Sequence, residues 1–208
     1  MNDLHPKVTP IRFQKTFIMI KPDGVKRGIV GDIISRFERA GLKVVAMKMI
    51  LATDEQIERH YPVSDEAWAA RIGKKNIESF VNLGIDAKEV MGTSDELAVG
   101  KTVIGALKSY MTSGPVIPMI IEGPQSVVMV RKIVGATLPI EADLGTIRGD
   151  YSVDSPIVAN AEGRPMHNII HASGSVEEAE AEIAVWFEKE EIKIYERVSD
   201  NIMYSKHY

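Results

Sequence analysis

Residues 16–45 read TFIMIKPDGVKRGIVGDIISRFERAGLKVV. Thr16 to Lys21 is an apolar run of strand length, and the turn formers Pro22, Asp23 and Gly24 end it. Ile29, Ile33, Ile34 and Phe37 then recur at helical spacing and Gly41 follows as a stop, which predicts a helix over Gly28 to Ala40 with one buried face. Leu42 to Leu51 returns to strand character. A helix with one apolar face between two apolar strands has to pack on the sheet those strands belong to.

The rest of the chain extends this unit. Asp54 is expected to cap a short helix that runs to Tyr61 and ends at Pro62. From about 64 to 100 the pattern is polar, mostly helical and interrupted by Gly73, Gly84 and Gly92, which reads as an insertion. Ile104, Leu107 and Met111 mark a helix stopped by Gly114 and Pro115; VIPMIIE, Val116 to Glu122, is a strand; and Gln125 to Val134 is a helix ending at Gly135. Leu138 to Gly163 is long and rich in Gly, Pro and Asp, so its length predicts a functional loop. The last strand is about Met166 to His171, and the last helix starts at Ser175, where Ser175 and Glu178 have the spacing of a capping box. This order predicts one α+β sandwich domain over 1–208, an antiparallel sheet covered by helices on one side.

Composition narrows the class. With 208 residues, 45% apolar and 26% charged, the chain can bury one sizeable core. No apolar run approaches the ~20 residues of a membrane span, and the N-terminal MNDLHPKVTPIRFQK has no apolar leader, so a cytoplasmic protein is expected. There is no cysteine, which excludes disulfides and thiolate metal sites. Lys and Arg total 25 against 29 Asp and Glu, a net charge of −4, which argues against nucleic acid as partner. Affinity for phosphate must come from a local cluster.

His171 ends the last apolar run, and on its own a histidine there is more often structural or on the surface than catalytic. The small residues Ala172, Ser173 and Gly174 leave room beside the imidazole, and the helix N-terminus that follows favours an anion. Glu182 shares or borders the apolar face formed by Ala179, Ile183, Trp186 and Phe187. It either snorkels to water or accepts a hydrogen bond from the imidazole or Ser173, fixing the tautomer so that the opposite ring nitrogen is the nucleophile. Attack on a triphosphate needs cations nearby, and Lys21, Arg131 and Arg148 stand in loops or at helix ends.

TFIMIKPDGVKRGIVGDIISRFERAGLKVV, YMTSGPVIPMIIEG, VVMVRKIVGAT, GTIRGD and HNIIHASGSVEEAEAEIAVWF, in this order, resemble nucleoside diphosphate kinase over most of the chain outside two insertions, at about 64–100 and 153–165. The resemblance implies a ferredoxin-like βαββαβ core, γ-phosphate transfer from a nucleoside triphosphate to a nucleoside diphosphate through a phosphohistidine, Mg²⁺ on the nucleotide, and assembly into tetramers or hexamers. Carried over, His171 is the nucleophile. Lys21, Arg131, Thr137 and Arg148 match phosphate-binding positions, Asn168 the contact to sugar and phosphate, Tyr61 the tyrosine near the histidine, and Glu182 with Ser173 the orienting pair. The metal has no protein ligand of its own and is held mainly by the nucleotide's phosphates.

Four features depart from the family pattern. The loop reads HASGS in place of HGSDS, and an Ala172 forced to positive φ would cost ~1 kcal/mol. The position of the base-stacking aromatic is occupied by Val103, beside the apolar contact Leu107. The segment at 64–100 either caps the cleft, offering Trp68 or Phe80 to the base, or decorates the outside with both residues in a small core of its own. The segment at 153–165 lengthens the loop before the active strand and bears on assembly. The alternative function is a catalytically silent nucleotide-binding or interaction module of the same fold.

Overall fold

The computed structural model describes residues 7–82 and 84–204, so the first six residues of the N-terminal stretch read for a leader lie outside it. The elements are α1 (Thr9–Arg12), β1 (Gln14–Ile20), α2 (Pro22–Lys26), α3 (Val30–Arg39), β2 (Lys43–Met47), β3 (Ile50–Leu51), α4 (Asp54–His60), α5 (Glu66–Val81), α6 (Ala87–Met91), α7 (Glu96–Met111) and β4 (Pro115–Gly123). There follow α8 (Ser126–Val134), α9 (Ile147–Tyr151), α10 (Pro156–Ala161), β5 (Ile170–Ala172), α11 (Val176–Trp186) and α12 (Asp200–Tyr204). The strands pair antiparallel in the order β2, β4, β1, β5, with β3 on β4. This is the α+β sandwich that the order of elements predicted, with the ferredoxin-like core that the resemblance implied.

β1 lies inside the sheet, so successive side chains bury on opposite faces, and its continuous apolar reading follows from that. Ile18 and Ile20 pack with Ile33 and Phe37 of α3 and Val130 and Val134 of α8. Phe17 and Met19 pack with Ile57 of α4, Tyr110 and Met111 of α7, and Trp186 of α11. Helices therefore cover both faces rather than the one expected. The expected strand over Leu42 to Leu51 is two, with a register shift between Val44 and Ala46 and a break at Lys48 and Met49. The PDG turn is the short helix α2, with Lys21 as its N-cap.

Two caps differ from the reading. Thr53, not Asp54, caps α4 in a full capping box with Gln56. At α11 Ser175 accepts the Glu178 N–H at 3.1 Å, but the Glu178 carboxylate takes the N–H of Gly174 at 2.6 Å instead of that of Ser175. The expected loop from Leu138 to Gly163 carries α9 and α10, each started by a capping hydroxyl, Thr146 and Ser155.

α5 and α7 cross with their backbones in contact. A Cβ on Gly73 would stand 1.8 Å from the Glu96 carbonyl oxygen, and one on Gly100 would stand 1.9 Å from that of Ala69. Gly105, on the same helix as Gly100, has open space around it. Gly100→Ala is thus expected to lower stability by about 1–3 kcal/mol through overpacking, whereas Gly105→Ala raises it by ~0.5–1 kcal/mol through helix propensity. Urea unfolding midpoints of the two variants test this contrast.

Candidate active site

His171 sits in β5 opposite Met19 of β1, so an inner strand of the sheet fixes its backbone. Its Nε2 lies 2.6 Å from Glu182 Oε1. The other Glu182 oxygen accepts the Ser173 hydroxyl, which is itself fully buried. An ionised carboxylate only accepts, so the imidazole carries its proton on Nε2 and its lone pair on Nδ1. Burial comes first in holding the His171 pKa well below the usual imidazole value, followed by the Lys21 cation; Glu178 opposes, and Arg148 and Arg131 add to the lowering. Burial raises the Glu182 carboxyl, while His60 and the Ser173 hydroxyl lower it.

Sequence reasoning missed His60. Its ring centroid is 4.6 Å from that of His171 in an edge-to-face contact, and its Nδ1 is 3.3 Å from the Trp186 indole nitrogen and 3.5 Å from Glu182 Oε1. The indole can only donate, so His60 Nδ1 accepts and the ring is neutral. Burial, then the neighbouring His171, pushes its pKa down to about 3. The signal was available, because Ile57 and His60 are three apart on a helix and share its buried face. Tyr61 ends α4, and its ring lies 4.4 Å from His60 and 6.1 Å from His171.

The cations converge from three elements. Lys21 leaves β1 with its Nζ 2.7 Å from Asn168 Oδ1, and burial followed by repulsion from Arg148 lowers its pKa to about 8, against the pull of Asp23. Asn168 Nδ2 donates to the Thr137 carbonyl at 3.0 Å, tying Lys21, Asn168 and the loop after α8 together. Arg148 enters from α9 and donates to the carbonyls of Gly135, Ala136, Asn168 and Ile170. A guanidinium has five N–H donors, so one remains for a ligand. Arg131, on the last turn of α8, is exposed, as is Thr137.

Ala172 carries no strain: positive φ falls instead on Ile169, at 69°. Gly174 leaves space that a Cβ would fill, 2.7 Å from Glu178 Oε2.

A cavity of about 630 Å³ opens from Lys21, Asn168 and Thr137 toward Val103, Leu107, Ile72 and Trp68. Phe80 is fully buried, away from any cleft surface, so the two aromatics of the 64–100 segment take different fates. Trp68 faces the cavity, and α5 is braced there by α10 through Asn160 Nδ2 donating to Asn76 Oδ1 at 2.8 Å. Among the described residues His60, His171 and Glu182 are the one group spaced as metal ligands could be, and the Glu182 oxygens are already engaged. No helix among the described residues is long and apolar enough to cross a membrane.

The family model for nucleoside diphosphate kinase matches residues 14–79 and 87–192. A nucleoside diphosphate kinase of Pyrobaculum aerophilum is 51% identical over 179 residues, 86% of this chain and 97% of that protein. One from Archaeoglobus fulgidus is 38% identical over 193 residues, 93% of this chain and 99% of that protein. The crystal structure of an NDP kinase from Pyrobaculum aerophilum matches with a TM-score of 0.81 at 49% identity, covering 86% of this chain and 98% of that one. The nucleoside-diphosphate kinase of Borrelia burgdorferi, solved as a transition state mimic with bound vanadate and ADP, matches with a TM-score of 0.72 at 35% identity, over 92% of this chain and 97% of that one. With an imidazole held in one tautomer beside buried cations on a ferredoxin-like sheet, the chain belongs to the nucleoside diphosphate kinase family, phosphotransferases that act on nucleotides.

Proposed function

We propose that His171 is the phosphorylated residue of a two-step exchange. The observation that carries this is the 2.6 Å contact between Nε2 and Glu182, which leaves Nδ1 as the nucleophile. Nδ1 forms a bond to the γ-phosphorus, the bond from phosphorus to the β,γ-bridging oxygen breaks, and the nucleoside diphosphate leaves with that electron pair. A terminal phosphate oxygen of the second nucleoside diphosphate then attacks the same phosphorus and frees Nδ1. Lys21, Arg131, the Thr137 hydroxyl and the remaining Arg148 donor hold the phosphates, Asn168 the sugar and phosphate end, and Tyr61 lines the histidine. Glu182 and Ser173 set the ring and balance the positive charge that grows on it.

The nucleotide enters as its Mg²⁺ complex. Among the described residues the cavity lining holds no carboxylate, so the phosphate oxygens hold the ion. The base lies in the apolar arm of the cavity against Val103 and Leu107, with Trp68 supplying the aromatic surface that Val103 lacks. We read the chain as one cytoplasmic domain with insertions at about 64–100 and 153–165. It assembles into a homo-oligomer, a tetramer or hexamer, and the exposed Ile140, Leu144 and Val153 are apolar surface that such contacts would cover.

Purified protein incubated with Mg²⁺ and γ-labelled ATP should take up acid-labile label, pass it to GDP as GTP, and lose all of it in His171→Ala. An unlabelled wild type that nonetheless binds ATP overturns the reading in favour of the silent module. Two further results are expected. Because the folded His171 pKa is lowered, the ring stays neutral as pH falls through ~6.5, where a free imidazole protonates, so labelling stays flat there. Labelling falls instead above pH 8, where Lys21 loses its charge, well below the ~10.4 of an ordinary lysine. Trp68→Ala should weaken ADP binding about 5- to 10-fold, the loss of one aromatic contact, and leave tripolyphosphate binding unchanged; calorimetry of both ligands tests it.

A further inference from the structure

Ile169 is a fully buried β-branched residue with φ of 69°, between Asn168 and the strand that carries His171. The Ile170 N–H donates to the Asn168 carbonyl at 2.7 Å, closing a three-residue turn whose central residue has the rare, strained sense. A strained backbone of this kind persists only where its surroundings over-determine it. The carbonyls of all three residues and the N–H groups of Ile169 and Ile170 are held. Arg148 grips the carbonyls of Asn168 and Ile170, and the Lys21 N–H donates to the Ile169 carbonyl at 2.8 Å. The Ile169 N–H has one partner, Asp23 Oδ2, at 3.0 Å.

Asp23 is itself fixed from behind. Its other oxygen accepts the hydroxyl of the buried Tyr110, whose ring stacks 5.1 Å from that of His167. Gly24, next to it, admits the turn at van der Waals distance, since a Cβ there would stand 3.1 Å from Ile169 Cγ2 and 2.8 Å from Ile20 Cγ2. Asp23 does not join the cavity lining. We propose that Asp23, buttressed by Tyr110, is a positioning residue for phosphoryl transfer: it holds the left-handed Ile169 turn and so sets Asn168 on one side of it against His171 on the other. This rests on the reading of His171 as nucleophile given above.

The test is a double-mutant cycle read by the rate of label uptake from saturating γ-labelled ATP. Asp23→Ala should slow uptake about 10- to 100-fold, the scale of a small misplacement of reacting groups. Asp23→Asn keeps an acceptor for the Ile169 N–H while removing the charge that Lys21 feels, and should slow it less than ~3-fold. In an Ile169→Gly background, where glycine adopts the turn without strain, Asp23→Ala should cost less than ~3-fold relative to Ile169→Gly alone. Equal losses in Asn and Ala variants, or in both backgrounds, would overturn the proposal. Hydrogen exchange of the Ile169 amide gives a readout free of activity: at least ~10-fold faster in Asp23→Ala and unchanged in Asp23→Asn. Equal exchange in the wild type and both variants overturns the tether even if Ile169→Gly does not fold, whereas absence of label on the wild type counts against the function and leaves the exchange result to decide the tether.

Discussion

Glu182 is a buried carboxylate with two oxygens, and the reacting centre is arranged around both. One oxygen lies against His171 and the other against Ser173, while a second imidazole, His60, approaches the first at 3.5 Å. Leaving a carboxylate in a site this dry costs several kcal/mol unless each lone pair is used. α11 offsets that cost by anchoring on Ala179 and Trp186, which are buried on the same face. Trp186 serves twice, since its indole N–H occupies His60 Nδ1 and keeps that ring from claiming the carboxylate as a donor. Of the two imidazoles Glu182 therefore answers to His171, and the proton on Nε2 points at its Oε1.

The opposite wall is built from positive charge under repulsion. Lys21 and Arg148 are both buried and each lowers the pKa of His171, while Arg148 also lowers that of Lys21. Such an arrangement is unfavourable by itself, so on the proposed reading a polyphosphate between these cations would relieve their repulsion. The same cations suppress protonation of His171, which is what a nucleophile working near neutral pH requires. Arg148 spends most of its donors on the carbonyls of Gly135, Ala136, Asn168 and, in β5, Ile170, so this buried cation also fixes the backbone around it. Removing it would disturb geometry and charge together.

The elements legible in the sequence are those set by local periodicity: the apolar β1, the amphipathic α3 and α11, and the strand β4. What was not legible depends on partners distant in sequence. Helices on both faces follow from β1 burying alternate side chains in two cores, which a continuous apolar run reports only as buried. The burial of His60 was legible from its spacing to Ile57, but its contact with His171 needs β5 brought against α4. The Ser175 and Glu178 pair had the right spacing, yet the Glu178 carboxylate found the Gly174 N–H closer to hand. The concern over Ala172 was misplaced by three residues, because the unusual backbone lies at Ile169, where a β-branched side chain gives no hint of a positive φ.

The helical segment before α7 shows how a chain with valine at position 103 still brings an aromatic to the cavity. Gly73 and Gly100 let α5 and α7 touch backbone to backbone, closer than a Cβ at either position would allow. That contact fixes α5 against the helix that carries Val103 and Leu107, and α10 braces it through Asn160 and Asn76. Trp68 then lines the cavity from a helix whose position is set by main-chain packing rather than by a mobile loop. Phe80, on the same helix, is spent on holding the segment together. A wall mounted this way loses little conformational entropy when a ligand arrives, so a single aromatic on it can contribute nearly its full contact free energy to binding.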